Sequence, residues 1–245
     1  MSFTNKQILV TGGGKGIGES LTLKLLTSGA KVITIIKSKI DNKKFKKFKN
    51  IKIYNGNVNN RLLVKKIFSD ADKKKIVITG LVNNAGVRFR KDFITISKKD
   101  LTKVMDTNFL SIFFIMQEFS KHILKNKKKG AIVNIGSIVG QHGFEQLSAY
   151  AASKGALTSL TQSFSTEMSK KGIRANVISP GFTKSSFYKN FKKNKKNLYK
   201  WTLHKTALGR WGETNEISNL ILFLLSDQSS YITGENIKID GGWRI

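Results

Sequence analysis

The chain has 245 residues, of which 40% are hydrophobic and none is cysteine. Such a length suits one large α/β domain with a sizeable core, and the absence of cysteine excludes disulfides and thiolate metal sites. With 44 lysines and arginines against 15 acidic residues, the formal net charge is +29 at pH 7.

Strand-like and helix-like segments alternate along the chain. An apolar run at 7–11 predicts a buried strand, and apolar residues three and four apart predict a helix over 17–28 that ends at Gly29. Further strands are expected at 31–36 and 51–54, within 76–83, and at 131–135, 174–178 and 235–239, with long helices at 100–124 and 149–170. This alternation indicates an α/β fold with a parallel sheet and helices on both faces. No linker or repeat interrupts it, so we expect a single domain over 1–245.

A glycine-rich turn joins the first strand to the first helix. Glycine permits positive φ and a close backbone approach, and the free N–H groups of the helix would hold a pyrophosphate. The residues expected to line this site are Gly12, Gly14, Lys15, Gly16, Ile17 and Gly18. Their spacing differs from the general G-x-G-x-x-G fingerprint, so an ordinary tight turn is the alternative. The position at the first strand–helix junction favours a dinucleotide site.

The end of the second strand indicates which dinucleotide is used. An acidic residue there would bond the adenosine ribose of NAD, whereas a basic residue would accept the 2′-phosphate of NADP. Lys37 occupies that end, and Lys15 stands in the turn. We therefore predict NADP, with NAD as the alternative if these two are merely members of a lysine-rich surface.

A serine, a tyrosine and a lysine form the predicted catalytic group. Ser137 follows the strand at 131–135, and Tyr150 and Lys154 are one turn apart on the next helix. A free tyrosine has a pKa of about 10, which a neighbouring ammonium would lower. Tyr150 would then exchange a proton with a substrate oxygen that Ser137 hydrogen-bonds. A solvated Tyr–Lys pair that arises by chance is the alternative.

With these residues in place, the chain resembles the short-chain dehydrogenases/reductases over nearly its full length. The matching residues are Thr11-Gly12-x-x-x-Gly16-Ile17-Gly18, Asn83-Asn84-Ala85-Gly86, Asn108, Ser137, Tyr150-x-x-x-Lys154 and Pro180-Gly181. The resemblance implies a Rossmann-type, doubly wound sheet of seven strands that binds NAD(P), usually as a homotetramer. Between the second and third strands the chain is short and rich in lysine, so the family's helix there is expected to be truncated.

The resemblance also implies roles for individual residues. Ser137 would position the carbonyl, Tyr150 would be the acid/base, and Lys154 would tune it while binding ribose. Asn108 would hold a water in a proton relay. Implied contacts of the cofactor, besides the turn and Lys37, are Asn57, Val58, Asn84, Ala85, Gly86, Tyr150, Lys154, Pro180, Gly181 and Thr183. Thr183 stands where Ile or Val is common, and no metal site is predicted.

The substrate is less sharply indicated. Five aromatic residues between 183 and 208 suggest a lid over the substrate, with an ordinary packed helix pair as the alternative. The resemblance is strongest to 3-oxoacyl-[acyl-carrier-protein] reductases, whose basic docking residues match Lys128, Lys129 and Lys171. Sugar and sugar-acid dehydrogenases share the motifs at 209–212 and 240–243. We predict the acyl reductase and keep the sugar-acid dehydrogenase as the alternative.

The high positive charge has two explanations. An acidic partner is one, and a nucleic-acid-binding scaffold on a reductase fold would be the non-enzymatic form of it. Compositional drift is the other, because the excess is nearly all lysine spread along the whole chain. Intact catalytic positions favour the enzyme, so no nucleic acid is expected.

Without a signal peptide or a long apolar stretch, we expect a cytoplasmic protein that does not contact membranes.

Overall fold

Seven parallel strands form the centre of the molecule in a computed structural model that describes residues 1–37 and 44–243. The strands β1 to β7 are Gln7–Thr11, Lys31–Ile36, Ile51–Asn55, Ile78–Asn83, Gly130–Ile135, Ile173–Pro180 and Asn236–Ile239. They lie in the order β3-β2-β1-β4-β5-β6-β7, and every neighbouring pair is parallel. The predicted doubly wound sheet is confirmed, and its strand order reverses between β1 and β4. The predicted truncation between β2 and β3 involves residues 38–43, which lie outside the described ones.

Helices cover both faces of this sheet. In chain order α1 to α8 are Gly16–Thr27, Arg61–Lys73, Lys98–Met105, Ser111–Lys125, Ser148–Met168, Tyr188–Asn194, Lys196–Lys205 and Thr214–Leu225. One apolar core lies beneath α2, α4 and α5 and contains Ile67, Phe119 and Leu157. The other lies beneath α1 and α8 and contains Leu25 and Ile221. None of the helices in the described part of the chain has the length and apolar character needed to cross a membrane.

Two of these helices were not predicted from the sequence. Helix α2 begins where the Asn60 side chain accepts a hydrogen bond from the Leu63 N–H, and it buries apolar residues at helical spacing. Helix α8 begins with a reciprocal pair between Glu213 and Glu216. Both signals are present in the sequence, but lysines around α2 and the lack of a Ser or Thr cap at α8 make them less visible.

The predicted helix over 100–124 is interrupted. Helix α3 ends at Met105, a turn of wider π geometry follows at Asp106–Leu110, and α4 begins at Ser111. Single π turns inside helices occur frequently at functional sites. The wider turn directs the buried side chain of Asn108 towards the end of β4.

A buried histidine joins α4 to the sheet and to α2. The Nε2 atom of His122 accepts the Ile78 N–H at 3.0 Å, and its Nδ1 atom lies 2.7 Å from the Asp72 carboxylate. The acceptor at Nε2 requires a neutral ring with its proton on Nδ1, which faces Asp72. Burial lowers the pKa of His122, and the Asp72 charge opposes that shift.

Acidification is therefore expected to lower the free energy of unfolding, because His122 becomes protonated. Because the folded pKa lies below the unfolded value of about 6.5, the contribution is complete above that pH and is lost as the pH falls through the folded value. In His122→Leu the unfolding free energy should fall by about 1–3 kcal/mol at neutral pH, since Ile78 loses its acceptor. Its loss of stability on acidification should also be smaller than in the wild type. Urea titrations measure both effects, with the exposed His204 replaced by Leu as control; an unchanged pH dependence would contradict this account.

Candidate active site

The glycine-rich turn lies at the point where the strand order reverses. Gly12 and Gly16 have φ of +68° and +59°, in the left-handed region that favours glycine. A Cβ on Gly18 would lie 2.2 Å from the Gly12 carbonyl oxygen, and one on Gly13 would lie 2.3 Å from Thr34 Oγ1. The turn is thus packed too closely for side chains at these positions.

The end of β4 holds the turn in place. The Asn84 side-chain amide donates to the carbonyl oxygens of Thr11 and Gly12 at 3.1 and 3.0 Å. The backbone N–H groups of Asn84 and Ala85 both donate to Thr11 Oγ1 at 3.0 Å. Asn84 was predicted to lie along the cofactor. It does line the cleft, but its side-chain donors serve the turn.

The first turn of α1 fits an anionic group. Across the described chain, the N–H groups of Ile17 and Gly18 have no recorded acceptor. Unsatisfied N–H groups and the positive end of the helix dipole together bind phosphates. Lys15 is exposed at the start of α1, and Lys37 is exposed directly after β2. Since the Gly12 N–H donates to the Ile35 carbonyl at 2.8 Å, the end of β2 lies beside the turn.

The two residues predicted to contact adenine lie after β3, next to β2. Gly56 connects the two strands by donating to the Ile36 carbonyl at 2.9 Å. Asn57 accepts a hydrogen bond from the Asn59 N–H, and Val58 is buried in the core beneath α2. Neither residue lines the main cleft, and both lie at the edge of the sheet beside β2.

A cleft of about 710 Å³ opens at the carboxyl ends of β4, β5 and β6. Its lining includes Gly86, Ser137, Tyr150, Lys154, Pro180, Gly181 and Thr183 from the predicted set. Gly181 passes so close to β7 that a Cβ would lie 2.7 Å from Asp240 Cα. The buried Thr183 hydroxyl donates to the Gly181 carbonyl at 3.1 Å. Thr183 therefore supports the bend after β6 with its own side chain.

Tyr150 faces this cleft beside Ser137. Burial raises the pKa of Tyr150, while a side-chain hydrogen bond with Ser137 and the positive charge of Arg88 lower it. Ser137 Oγ also accepts the Val139 N–H at 3.2 Å, which fixes the serine at the end of β5. The sequence predicted that the Lys154 ammonium lowers this pKa; in the structure, the positive charge that lowers it is that of Arg88.

Lys154 is almost completely buried beneath the tyrosine. Its Nζ atom donates to the Ile135 carbonyl at 2.6 Å and lies 5.8 Å from the centre of the Tyr150 ring. Burial lowers the pKa of Lys154 to about 8. An ammonium held in this way keeps two further N–H donors that can serve other acceptors.

Asn108 connects the π turn to the end of β4 and to α5. Its Oδ1 accepts the Val87 N–H at 2.8 Å, while its Nδ2 donates to the Val87 carbonyl at 2.9 Å and to Ser153 Oγ at 3.1 Å. A Cβ on Gly86 would lie 3.3 Å from Asn108 Oδ1 and 3.9 Å from Lys154 Nζ. Gly86 thus lies between the asparagine and the lysine, and the side chain of Asn108 is fully used in holding this geometry.

The aromatic residues between 183 and 208 divide into two groups. Phe187 and Trp201 line the cleft together with Phe191. Tyr188 and Tyr199 do not line the cleft and pack against Trp211, with ring centroids 5.2 and 5.4 Å away. Phe187 and Phe191 also contact Trp211, at 5.9 and 5.1 Å, so they both line the cleft and anchor the segment to the body of the molecule.

Sequence reasoning missed two basic residues in the cleft. Arg88 and Arg90 follow β4 directly and line the same space as Tyr150. Their position just after Asn84-Ala85-Gly86 at a strand end was the available signal. It was hidden because neither residue belongs to the motif and basic residues occur throughout this chain.

The chain is similar to known proteins over nearly its full length, both in sequence and in structure. The family described as enoyl-(acyl carrier protein) reductase matches residues 12–244. The 3-oxoacyl-[acyl-carrier-protein] reductase of Buchnera aphidicola is 34% identical over 248 residues, covering 99% of this chain and 98% of the relative. Among solved structures, a 4-hydroxyisoleucine dehydrogenase complexed with NADH has a TM-score of 0.91 and 32% identity, covering 97% of this chain and 98% of that one. A provisionally assigned 2-deoxy-D-gluconate 3-dehydrogenase of Agrobacterium tumefaciens, with bound NADP, has a TM-score of 0.90 and 30% identity, covering 99% and 97%.

Proposed function

Because the chain belongs to the short-chain dehydrogenase/reductase family, we propose that it transfers a hydride between NADP(H) and a carbonyl compound or secondary alcohol, with Ser137, Tyr150 and Lys154 as its catalytic residues. The observation that carries the proposal is the meeting of these three side chains in one cleft beside the glycine-rich turn. An α/β fold alone would not support it, since one fold serves many functions.

The residues of the cleft account for the proton side of the reaction. In the direction of reduction, NADPH supplies the hydride to the carbonyl carbon, and the Tyr150 O–H donates a proton to the carbonyl oxygen. Ser137 hydrogen-bonds that oxygen as negative charge develops on it. Lys154 would hold the nicotinamide ribose with its remaining N–H donors, and Asn108 would fix the π turn at Asp106–Leu110, beside which a water would resupply the proton.

The preference for NADP rests on two exposed lysines beside the turn. Lys15 and Lys37 supply positive charge where a 2′-phosphate would lie. The position directly after β2, where an acidic residue would bind the ribose of NAD, is occupied by Lys37. NADP is also bound in the 2-deoxy-D-gluconate dehydrogenase structure, whereas the 4-hydroxyisoleucine dehydrogenase holds NADH. NAD therefore stays the alternative until both are measured.

Replacing Lys37 with Ala is expected to reduce kcat/KM for NADPH about tenfold and leave that for NADH unchanged, since one charged hydrogen bond is lost. Steady-state rates with each cofactor measure the effect. Lys31→Ala, at the exposed opposite end of β2, is the matched control. A wild-type preference for NADH, or equal losses with both cofactors, would contradict the assignment.

The first substrate to test is a 3-oxoacyl thioester carried by acyl carrier protein. The similarity to the Buchnera reductase supports it. The predicted docking residues Lys128, Lys129 and Lys171 are exposed, but they precede β5 and β6, at the edge of the sheet opposite the cleft. Within one chain they do not flank the catalytic residues, so carrier binding there would have to serve the cleft of a neighbouring subunit.

A sugar acid is the second candidate, and a specific observation favours it. Arg88 and Arg90 line the cleft, where a neutral acyl chain has no use for positive charge. NADPH oxidation with an acetoacetyl thioester and with 5-keto-D-gluconate separates the two candidates. Turnover of the thioester alone supports the acyl reductase, and turnover of the keto acid alone supports the dehydrogenase.

Three further properties belong to the same proposal. Residues 183–208 act as a lid, a role supported by Phe187 and Trp201 in the wall of the cleft. The protein assembles as a homotetramer in the cytoplasm, and the exposed apolar side chains of Leu110 and Phe113 beside the π turn support an interface between subunits. Light scattering measures the mass in solution.

A further inference from the structure

Arg88 is a cation without an anionic partner in the wall of the cleft. Within residues 1–37 and 44–243, no hydrogen bond and no ion pair is recorded for its guanidinium. Two other arginines are engaged by acceptors: Arg210 makes two hydrogen bonds to the Glu216 carboxylate, and Arg174 donates to three backbone carbonyls. Arg61 resembles Arg88, since it stacks on Phe114 and has no recorded hydrogen bond or ion pair among the described residues, but it lies outside the cleft. The Arg88 side chain is exposed and lines the cleft, so its guanidinium is accessible to a bound ligand.

The position of Arg88 indicates which ligand. Its guanidinium lies 5.0 Å from the centre of the Phe187 ring, on the lid side of the cleft. On the other side it is close enough to Tyr150 that each group shifts the pKa of the other. The arginine therefore lies between the proton donor and the wall formed by the lid, where a substrate bound at Tyr150 would extend.

The charges that line the cleft near Arg88 are mostly positive, which favours the binding of an anion. Glu145 also lines the cleft but forms no recorded ion pair with Arg88 among the described residues. Arg90 lines it as well, and its Nε donates to the neutral Gln146 side chain at 2.8 Å. Two guanidinium groups against one free carboxylate give this part of the cleft an excess of positive charge. A planar guanidinium binds carboxylates in a bidentate manner.

We propose that Arg88 binds a carboxylate of the substrate while Ser137 and Tyr150 hold its reacting carbonyl, so that the enzyme selects oxo acids over neutral carbonyl compounds. This inference rests on the proposed function and narrows it to one substrate class. It makes Arg88 a residue that determines specificity, whose charge contributes to binding and does not take part in proton transfer.

Matched pairs of substrates test the proposal. The full-length protein with NADPH is assayed with acetoacetate against methyl acetoacetate, levulinate against methyl levulinate, and 5-keto-D-gluconate against L-sorbose. The variants are Arg88→Gln, Arg88→Lys and, as control, Arg61→Gln, because Arg61 likewise stacks on a phenylalanine but lies outside the cleft. Salt of about 150 mM screens the general attraction of anions to this basic protein.

The wild type should favour at least one acid over its neutral partner by about 10- to 100-fold in kcat/KM, the value of one charged hydrogen bond. Arg88→Gln should remove that preference through KM, Arg88→Lys should keep part of it, and Arg61→Gln should keep all of it. Equal use of acids and neutral partners by the wild type, or an unchanged preference in Arg88→Gln, would overturn the proposal.

Two binding measurements separate the remaining explanations. If Arg88→Gln weakens NADPH binding instead, Arg88 binds a cofactor phosphate and the proposal is wrong. If NADPH binds but no member of any pair is reduced, the proposed function fails, and calorimetric titration of the three acids into the NADP⁺-loaded protein decides the inference. Acid binding that is lost in Arg88→Gln supports an anion site, and no acid binding overturns it.

Discussion

Replacing Tyr150 with Phe is expected to lower kcat for carbonyl reduction by about 10²- to 10⁴-fold, the usual contribution of a positioned acid. The substitution keeps the aromatic ring and removes only the O–H that would donate the proton and that hydrogen-bonds with Ser137. The affinity for NADPH should change by less than about threefold, because the lost O–H acts in the transition state and not in the binding of the cofactor. Stopped-flow or steady-state absorbance of NADPH measures kcat, and fluorescence titration measures binding.

A second tyrosine provides the control for this prediction. Tyr231 is fully exposed, so Tyr231→Phe should leave kcat unchanged. If kcat falls by less than about tenfold in Tyr150→Phe, Tyr150 is not the acid of the reaction. In that case the proton would have to come from another group in the cleft, and Ser137 is the nearest candidate.

Lys154→Met should reduce kcat/KM by about 10²-fold or more, because the buried ammonium supplies both a charge and hydrogen bonds at the reacting centre. Methionine fills a similar volume, but it leaves the Ile135 carbonyl without the donor that now lies at 2.6 Å. Both kcat and the affinity for NADPH should fall, which distinguishes this variant from Tyr150→Phe. Lys170→Met, an exposed change just beyond the same helix, should behave as wild type.

The pH dependence of the wild type provides a second readout for Lys154. Burial lowers its pKa to about 8, so the charged form is complete well below that pH and is lost as the pH rises through it. Burial also raises the pKa of Tyr150, so its O–H is kept over the same range. The rate of reduction should therefore decline above about pH 8 through Lys154. A rate that stays constant up to about pH 10 would contradict this assignment.

The strands and the placement of the candidate catalytic residues could be predicted because their signals are local. The strands at Gln7–Thr11 and Lys31–Ile36 are short apolar runs bounded by turns, and their predicted limits agree with the structure. The pairing of Tyr150 with Lys154 follows from a spacing of four on one helix. Such features depend on neighbouring residues in the chain and not on how distant segments pack.

Apart from helices α2 and α8, whose local signals were overlooked, what was missed depends on contacts between distant segments. The π turn at Asp106–Leu110 places Asn108 against Val87, and no pattern in the helix itself reveals that partner. The pKa of Tyr150 is raised by burial and lowered by the Ser137 hydrogen bond and the charge of Arg88, three effects that exist only after the cleft has formed. Lys154 was the obvious charge in the sequence, but its Nζ atom is directed at the Ile135 carbonyl.

Transfer of deuterium from cofactor to product tests the central claim most directly. The protein is supplied with NADPH that carries deuterium at the transferable position of the nicotinamide, together with the carbonyl compounds of the substrate pairs. Mass spectrometry of the product alcohol should find one deuterium at the new carbinol carbon, in amounts equal to the NADPH oxidised by wild type and strongly reduced with Tyr150→Phe. NADPH oxidation without deuterium in the alcohol, or no oxidation with any carbonyl compound although NADPH binds, would contradict the account.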